Sequence, residues 1–208
     1  MQYILSISVL LFSVIVHEVA HGYIAYKRGD DTAKLMGRLT LNPVPHIDIF
    51  GSIILPLMLM FANAPVFGWA KPVPVNINKL NNPRTDAVWV SLSGCLANFS
   101  LAVAAGFFMW LIRNFATADM TALGSVYYIL QNVLVINIIL PILNLIPIPP
   151  LDGSRVFIFL LPRNMAVKYA SIEPYGFLII FGLLATGILW KIISPAVYFL
   201  TAFLSGNF

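Results

Sequence analysis

Apolar residues fall along this chain in long unbroken runs, without the 3.6-residue spacing of a water-facing helix or the alternation of a half-buried strand. The first run, Tyr3 to Tyr26, predicts a helix roughly 36 Å long, enough to cross a hydrocarbon layer of about 30 Å with some tilt. Further spans are predicted over about Asp86 to Ile112, about Leu123 to Leu145, and Tyr175 to Trp190. Ile192 to Leu204 is short and contains Pro195, so it either spans or lies on the surface. Between the first two long runs the pattern changes. Residues 37–46 combine Thr, prolines and alternating apolar positions, which favours extended structure or turns. Ile47 to Phe61 is broken by Pro56 and suits a short span, a re-entrant segment or an interfacial helix. Gly68-Trp69-Ala70-Lys71-Pro72-Val73-Pro74-Val75 is again extended in character, with Trp69 suited to the interface. There is no internal repeat. The pattern predicts an all-α multi-pass membrane protein, a bundle of about four to six transmembrane helices with re-entrant or extended segments between the first two full spans. One domain is expected over residues 1–208, with a core at 3–160 and C-terminal helices at 161–208.

Composition sharpens this. The chain is 60% hydrophobic and only 10% charged, whereas a soluble domain carries about 25% charged residues. The lipid bilayer is therefore its solvent, and the apolar runs are too long and too many for a signal peptide. A net charge of +4 would suggest a polyanion partner in a soluble protein, but here the basic residues lie in short loops between spans. No nucleic-acid partner is expected. Cys95 is the one cysteine, so an internal disulfide or a thiolate zinc site has no support.

Inside the first apolar run lies His17-Glu18-Val19-Ala20-His21. Four-residue spacing places both imidazoles on one helix face, one turn apart, where they can reach one cation, and Glu18 is placed to handle a water on it. Two imidazoles and a carboxylate in hydrocarbon cost several kcal/mol unless paired or bound to metal, so the cluster reads as a functional site. The second span carries Ser93-Gly94-Cys95-Leu96-Ala97-Asn98-Phe99, with Gly94 and Ala97 suited to close helix packing and Asn98 an amide that needs a partner in lipid. The third ends in Asn144-Leu145-Ile146-Pro147-Ile148-Pro149-Pro150, followed by Leu151-Asp152-Gly153. Its prolines must unwind the helix there. Read alone, Asp152 is either an acid in that break or a cap for the next helix.

Taken together, these motifs resemble the three signatures of the site-2 protease family of intramembrane zinc metalloproteases, across roughly residues 10 to 160. Gly-Trp-Ala-Lys-Pro-Val-Pro-Val is similar to that family's loop ahead of its central span. Gly94-Cys95 departs from the usual Gly-Pro, and the chain looks like a small, minimal member. The resemblance implies one Zn2+ ion held by His17, His21 and Asp152, with Glu18 as general base and a membrane-spanning protein as substrate. Two imidazoles and one carboxylate leave a fourth tetrahedral position for water, the catalytic pattern. Asn144 is a candidate for holding the substrate backbone or the developing oxyanion, the alternative being a carbonyl cap; Asn98 is a second candidate. His46 is either an accessory ligand or a loop histidine. Val73 and Val75 lie on a stretch that could accept an unwound substrate by strand addition. A metal transporter or non-hydrolytic metal-binding membrane protein using the same ligands is the competing reading, and Glu18 argues against it because transport needs no acid beside the first histidine.

Topology follows by parity. If Asp152 is to meet His17 and His21, the third span must end on the cytoplasmic side, with the N-terminus outside. That places Lys27, Arg28, Lys34, Arg38, Lys71, Lys79, Arg84, Arg155, Arg163 and Lys168 inside, and Arg113 and Lys191 outside. The segment 47–61 must then enter and return, or lie flat. A bacterial-type cell membrane is expected, with the site towards its cytoplasmic face.

Overall fold

The computed structural model describes residues 2–54, 57–58, 61, 70–115 and 120–206. Its helices are α1 (Gln2–Lys27), α2 (Thr32–Leu35), α3 (Pro83–Phe115), α4 (Met120–Asn144), α5 (Asp152–Leu160), α6 (Arg163–Ala170), α7 (Glu173–Ala185) and α8 (Ile188–Ser205). No strand occurs among the described residues. Four helical stretches are long and apolar enough to cross a membrane: Ile4–Lys27, Pro83–Phe115, Leu123–Asn144 and Ile188–Ser205. The pair α6 and α7 is bent by 65° and brings the possible spans to five. The chain is thus an all-α multi-pass membrane protein, as its apolar runs predict.

Because no water reaches the bundle interior from lipid, close packing and internal hydrogen bonds must hold these helices together. Small residues of α3 make close approaches to its neighbours. Ala102, Ala105 and Met109 meet Leu134 and Ile138 of α4 and Val197 of α8 in the largest buried cluster. Gly106 takes α3 so near to α8 that an added Cβ would lie 2.5 Å from the Leu204 carbonyl oxygen. At the other end of α3, Arg28 bonds Asp86 at 3.0 Å and Lys79 bonds Asp31 at 2.7 Å, tying the loop before α3 to the end of α1.

One expectation changes, and two left open are decided. The run Tyr175 to Trp190 is not one span, because α7 stops at Ala185 and Gly187 turns the chain in the left-handed region at φ 70°. The run left open, 192–204, instead belongs to the 18-residue α8, which continues through Pro195. Lys191 moves with it. Leu189 and Ile193 pack with Ile142, Ile146 and Leu151, while the far end of α8 lies beside Gly106, and Gly206 beside Arg113. Lys191 therefore lies at the end of the helix bundle that holds the α4–α5 break, away from Arg113. Residues 37–46 form bends and a short 3-10 turn at Val44–His46, with no strand. Ile49–Ile54 forms a π-helical turn, and beyond Ile54 the 47–61 passage is described only at 57–58 and 61; Gly68 and Trp69 lie outside the described residues.

Candidate metal centre

The α4–α5 connection is built to bring Asp152 back onto α1. Pro147, Pro149 and Pro150 cannot donate backbone hydrogen bonds, so the chain turns locally, with Leu151 N bonding Ile148 O at 2.9 Å. Gly153 then lies against the Leu145 carbonyl, where a Cβ would collide with backbone. This compaction sets Asp152 Oδ2 at 2.9 Å from His17 Nε2 and 3.2 Å from His21 Nε2. The three donor atoms lie within 4.8 Å of one another. Ligands on one tetrahedral zinc, at bonds of about 2.0–2.1 Å, stand about 3.3 Å apart.

Hydrogen bonding behind the two imidazoles decides which nitrogen faces the other donors. His21 Nδ1 lies 2.6 Å from Val90 O, a carbonyl that can only accept, so Nδ1 carries the proton and Nε2 keeps its lone pair. His17 Nδ1 lies 2.6 Å from the side-chain oxygen of Asn98 with the same result. Two nitrogen lone pairs and a carboxylate therefore converge, an arrangement that repels itself without a cation between the donors. Gly94 completes the cradle, since a Cβ there would come within 2.6 Å of His21 Nε2 and 2.7 Å of His17 Nε2. The residues present fit a zinc ion.

A cavity of about 150 Å³ opens on these donors, and Glu18, Val73, Val75, Asn144 and Arg155 line its walls. Glu18 Oε2 accepts from the Val73 backbone N–H at 2.8 Å. The stretch 70–76 carries that N–H and is neither helix nor strand. It is held from outside: Arg38 donates to the carbonyls of Lys71 and Pro72 at 2.7 and 3.3 Å, and Lys71 N bonds His46 O at 2.8 Å. Gly22 of α1 leaves room for the Val73 side chain, which would stand 2.7 Å from a Cβ at that position. Asn144 reaches the cavity while its amide donates to Leu140 O at 3.0 Å.

Two candidates fall elsewhere. Asn98 is fully buried and spends its oxygen on His17, so it stands behind the donor cluster and does not line the cavity. His46 is also fully buried, its Nε2 2.9 Å from Thr40 O, and it does not join the donor cluster. Two residues escaped the sequence reading. Gly94 is more than a packing position, and Asn137, a fully buried amide in α4, bonds Asn98 at 2.7 Å. An amide inside a span is itself a signal that a polar partner waits on a neighbouring helix.

Comparison with known proteins agrees with this chemistry. The profile of Peptidase family M50 matches residues 5–186, which take in both histidines, Gly94 and Asp152. The protein named "Putative zinc metalloprotease YwhC" of Bacillus subtilis is 39% identical over 191 residues, covering 89% of this chain and 84% of its own. "Putative zinc metalloprotease Rip2" of Mycolicibacterium smegmatis is 30% identical over 196 residues, covering 94% of this chain and 72% of its own. No solved structure matches. With its apolar helices and a donor set suited to zinc, the chain belongs to peptidase family M50 and is a membrane-embedded zinc metalloprotease.

Proposed function

We propose that this protease hydrolyses peptide bonds within or near the transmembrane segments of other membrane proteins, close to the cytoplasmic face, with His17, His21 and Asp152 as zinc ligands and Glu18 as general base. One observation carries the reading: the three donors meet in a cavity reached by Glu18, at the level where the apolar helix α4 breaks. When bound, zinc lowers the pKa of a coordinated water towards about 7 and polarises the scissile carbonyl. Glu18 accepts the water's proton and later returns it to the leaving amine. The Val73 N–H steadies Oε2 and leaves Oε1 to handle that proton. Asn144 has a second amide hydrogen, beyond the one given to Leu140, with which to hold the developing oxyanion.

A transmembrane substrate hides its peptide bonds in helical hydrogen bonds, so it must unwind locally before water can attack. The stretch 70–76 offers the exposed segment a place to pair. Among the described residues the Val75 N–H makes no hydrogen bond, and Val75 lines the cavity. The basic loops favour a cytoplasmic site, and Lys191, once assigned with the α4–α5 break, adds to that side.

Reconstitution into vesicles with single-span substrates, followed by mass-spectrometric mapping of the cut, tests the proposal. The expected bond lies inside the apolar segment or within a few residues of its cytoplasmic boundary. Cuts confined to soluble loops remote from the membrane would overturn it.

A further inference from the structure

Behind His17 runs a chain of side-chain hydrogen bonds whose last members have no part in the chemistry above. Asn98 of α3 donates one amide hydrogen to Ser13 O of α1 at 3.0 Å and the other to the side-chain oxygen of Asn137 of α4 at 2.7 Å. Asn137 in turn donates to Val133 O at 2.9 Å and to the Ser13 hydroxyl oxygen at 2.8 Å. Ser13, Asn98 and Asn137 are all fully buried.

The direction of every bond is forced. The Ser13 and Val133 carbonyls can only accept, so each amide must turn its NH2 towards them. Both hydrogens of Asn98 are then used, and its oxygen faces His17 Nδ1 as an acceptor. Reversing either amide would set like groups face to face in a site closed to water, where an unsatisfied polar group is costly. The two ligating imidazoles are thus held differently. His21 relies on the backbone carbonyl of Val90, which no side-chain substitution removes, whereas His17 relies on side chains drawn from three helices.

Asn137 also lies two helical turns before Asn144, on the helix that leads into the break and on to Asp152. Pro141, four residues after Asn137, has no N–H to give the Asn137 carbonyl, which further loosens α4 between this amide and the break. We infer that Asn137, with Ser13, is a positioning residue for the metal centre: it holds Asn98 in the one orientation that presents the His17 Nε2 lone pair. The inference rests on the ligand set proposed above.

The test reads zinc affinity by chelator competition on the full-length protein in detergent, independently of cleavage. Asn137→Leu keeps the side-chain volume and removes the amide; it should raise the zinc Kd about tenfold, within the range found when the partners of metal ligands are altered. Asn98→Ala should do at least as much. The double variant should be no weaker than Asn98→Ala alone, because Asn137 acts through Asn98, whereas two unrelated packing defects would add. Leu134→Ala, a fully buried neighbour on the same helix, should lower thermal stability without changing the zinc Kd. Should Asn137→Leu fail to fold, Ser13→Ala removes a single oxygen and should still raise the Kd about threefold. Wild-type affinity in Asn137→Leu or in Ser13→Ala, or additive losses in the double variant, would overturn the inference. If zinc binding follows this pattern while no variant, wild type included, cleaves a single-span substrate, the positioning role stands and the protease substrate is what fails.

Discussion

Gly94 contributes no side chain, and for that reason it decides how closely α3 can cover the two imidazoles. A Cβ would meet both Nε2 atoms at 2.6–2.7 Å, so the ligands or the helix would have to shift. Gly94→Ala is therefore expected to weaken zinc binding at least tenfold, which chelator competition would reveal. Gly182→Ala is the control, because nothing lies within 4 Å of a Cβ there, and its zinc affinity should match the wild type. At this scale the sequence was informative where chemistry is local. HExxH spacing on a continuous apolar helix dictates that His17 and His21 share a face. The partners of those histidines were not legible, because Asn98 and Val90 reach them, and Asn137 reaches Asn98, only through the packing of separate helices. Asn98 shows the limit well: an amide in a span announces a need for a partner, and the sequence alone does not say whether that partner is substrate or ligand.

Among the elements, the proline-rich break behaved as its residues require. Three prolines within four positions exclude helix, and glycine at 153 allows Asp152 to return against α1. The stretch 70–76 was harder to read. Its alternating valines and prolines suggest an open strand edge, yet with no neighbouring strand among the described residues its donors and acceptors are taken up individually, by Glu18, Arg38 and His46. Proline at Val73 or Val75 tests what remains. Val73→Pro removes the N–H that steadies Glu18, and Val75→Pro removes the unpaired N–H of a residue that lines the cavity. Both should slow cleavage of a single-span substrate, by tenfold or more for Val73→Pro, while zinc content stays at one ion per chain. Unchanged cleavage rates in both would remove this stretch from the mechanism. The C-terminal helices were misjudged because hydropathy runs continuously from α7 into α8, and only the left-handed turn at Gly187 divides them.

For the whole molecule, a mostly helical membrane fold followed directly from apolar runs in a chain with so few charges. Arrangement did not, since parity depends on which short segments cross, and α8 sets Lys191 at the bundle end that holds the α4–α5 break. Single cysteines placed at Lys79 and Lys191 in a Cys95→Ser background should react with an impermeant reagent from the same membrane face, and one at Arg113 from the opposite face. Labelling of Lys79 and Arg113 positions from one face would refute the arrangement. The central claim is that two distant parts of the chain meet on one catalytic zinc, and metal content measured alongside cleavage addresses it most directly. Purified wild type should carry one zinc and cut a single-span substrate; Glu18→Gln should carry one zinc and cut at least a thousandfold more slowly, since the base is lost while the ligands stay; Asp152→Ala should lose both zinc and cleavage. Full zinc occupancy in Asp152→Ala, or wild-type cleavage by Glu18→Gln, would contradict the account.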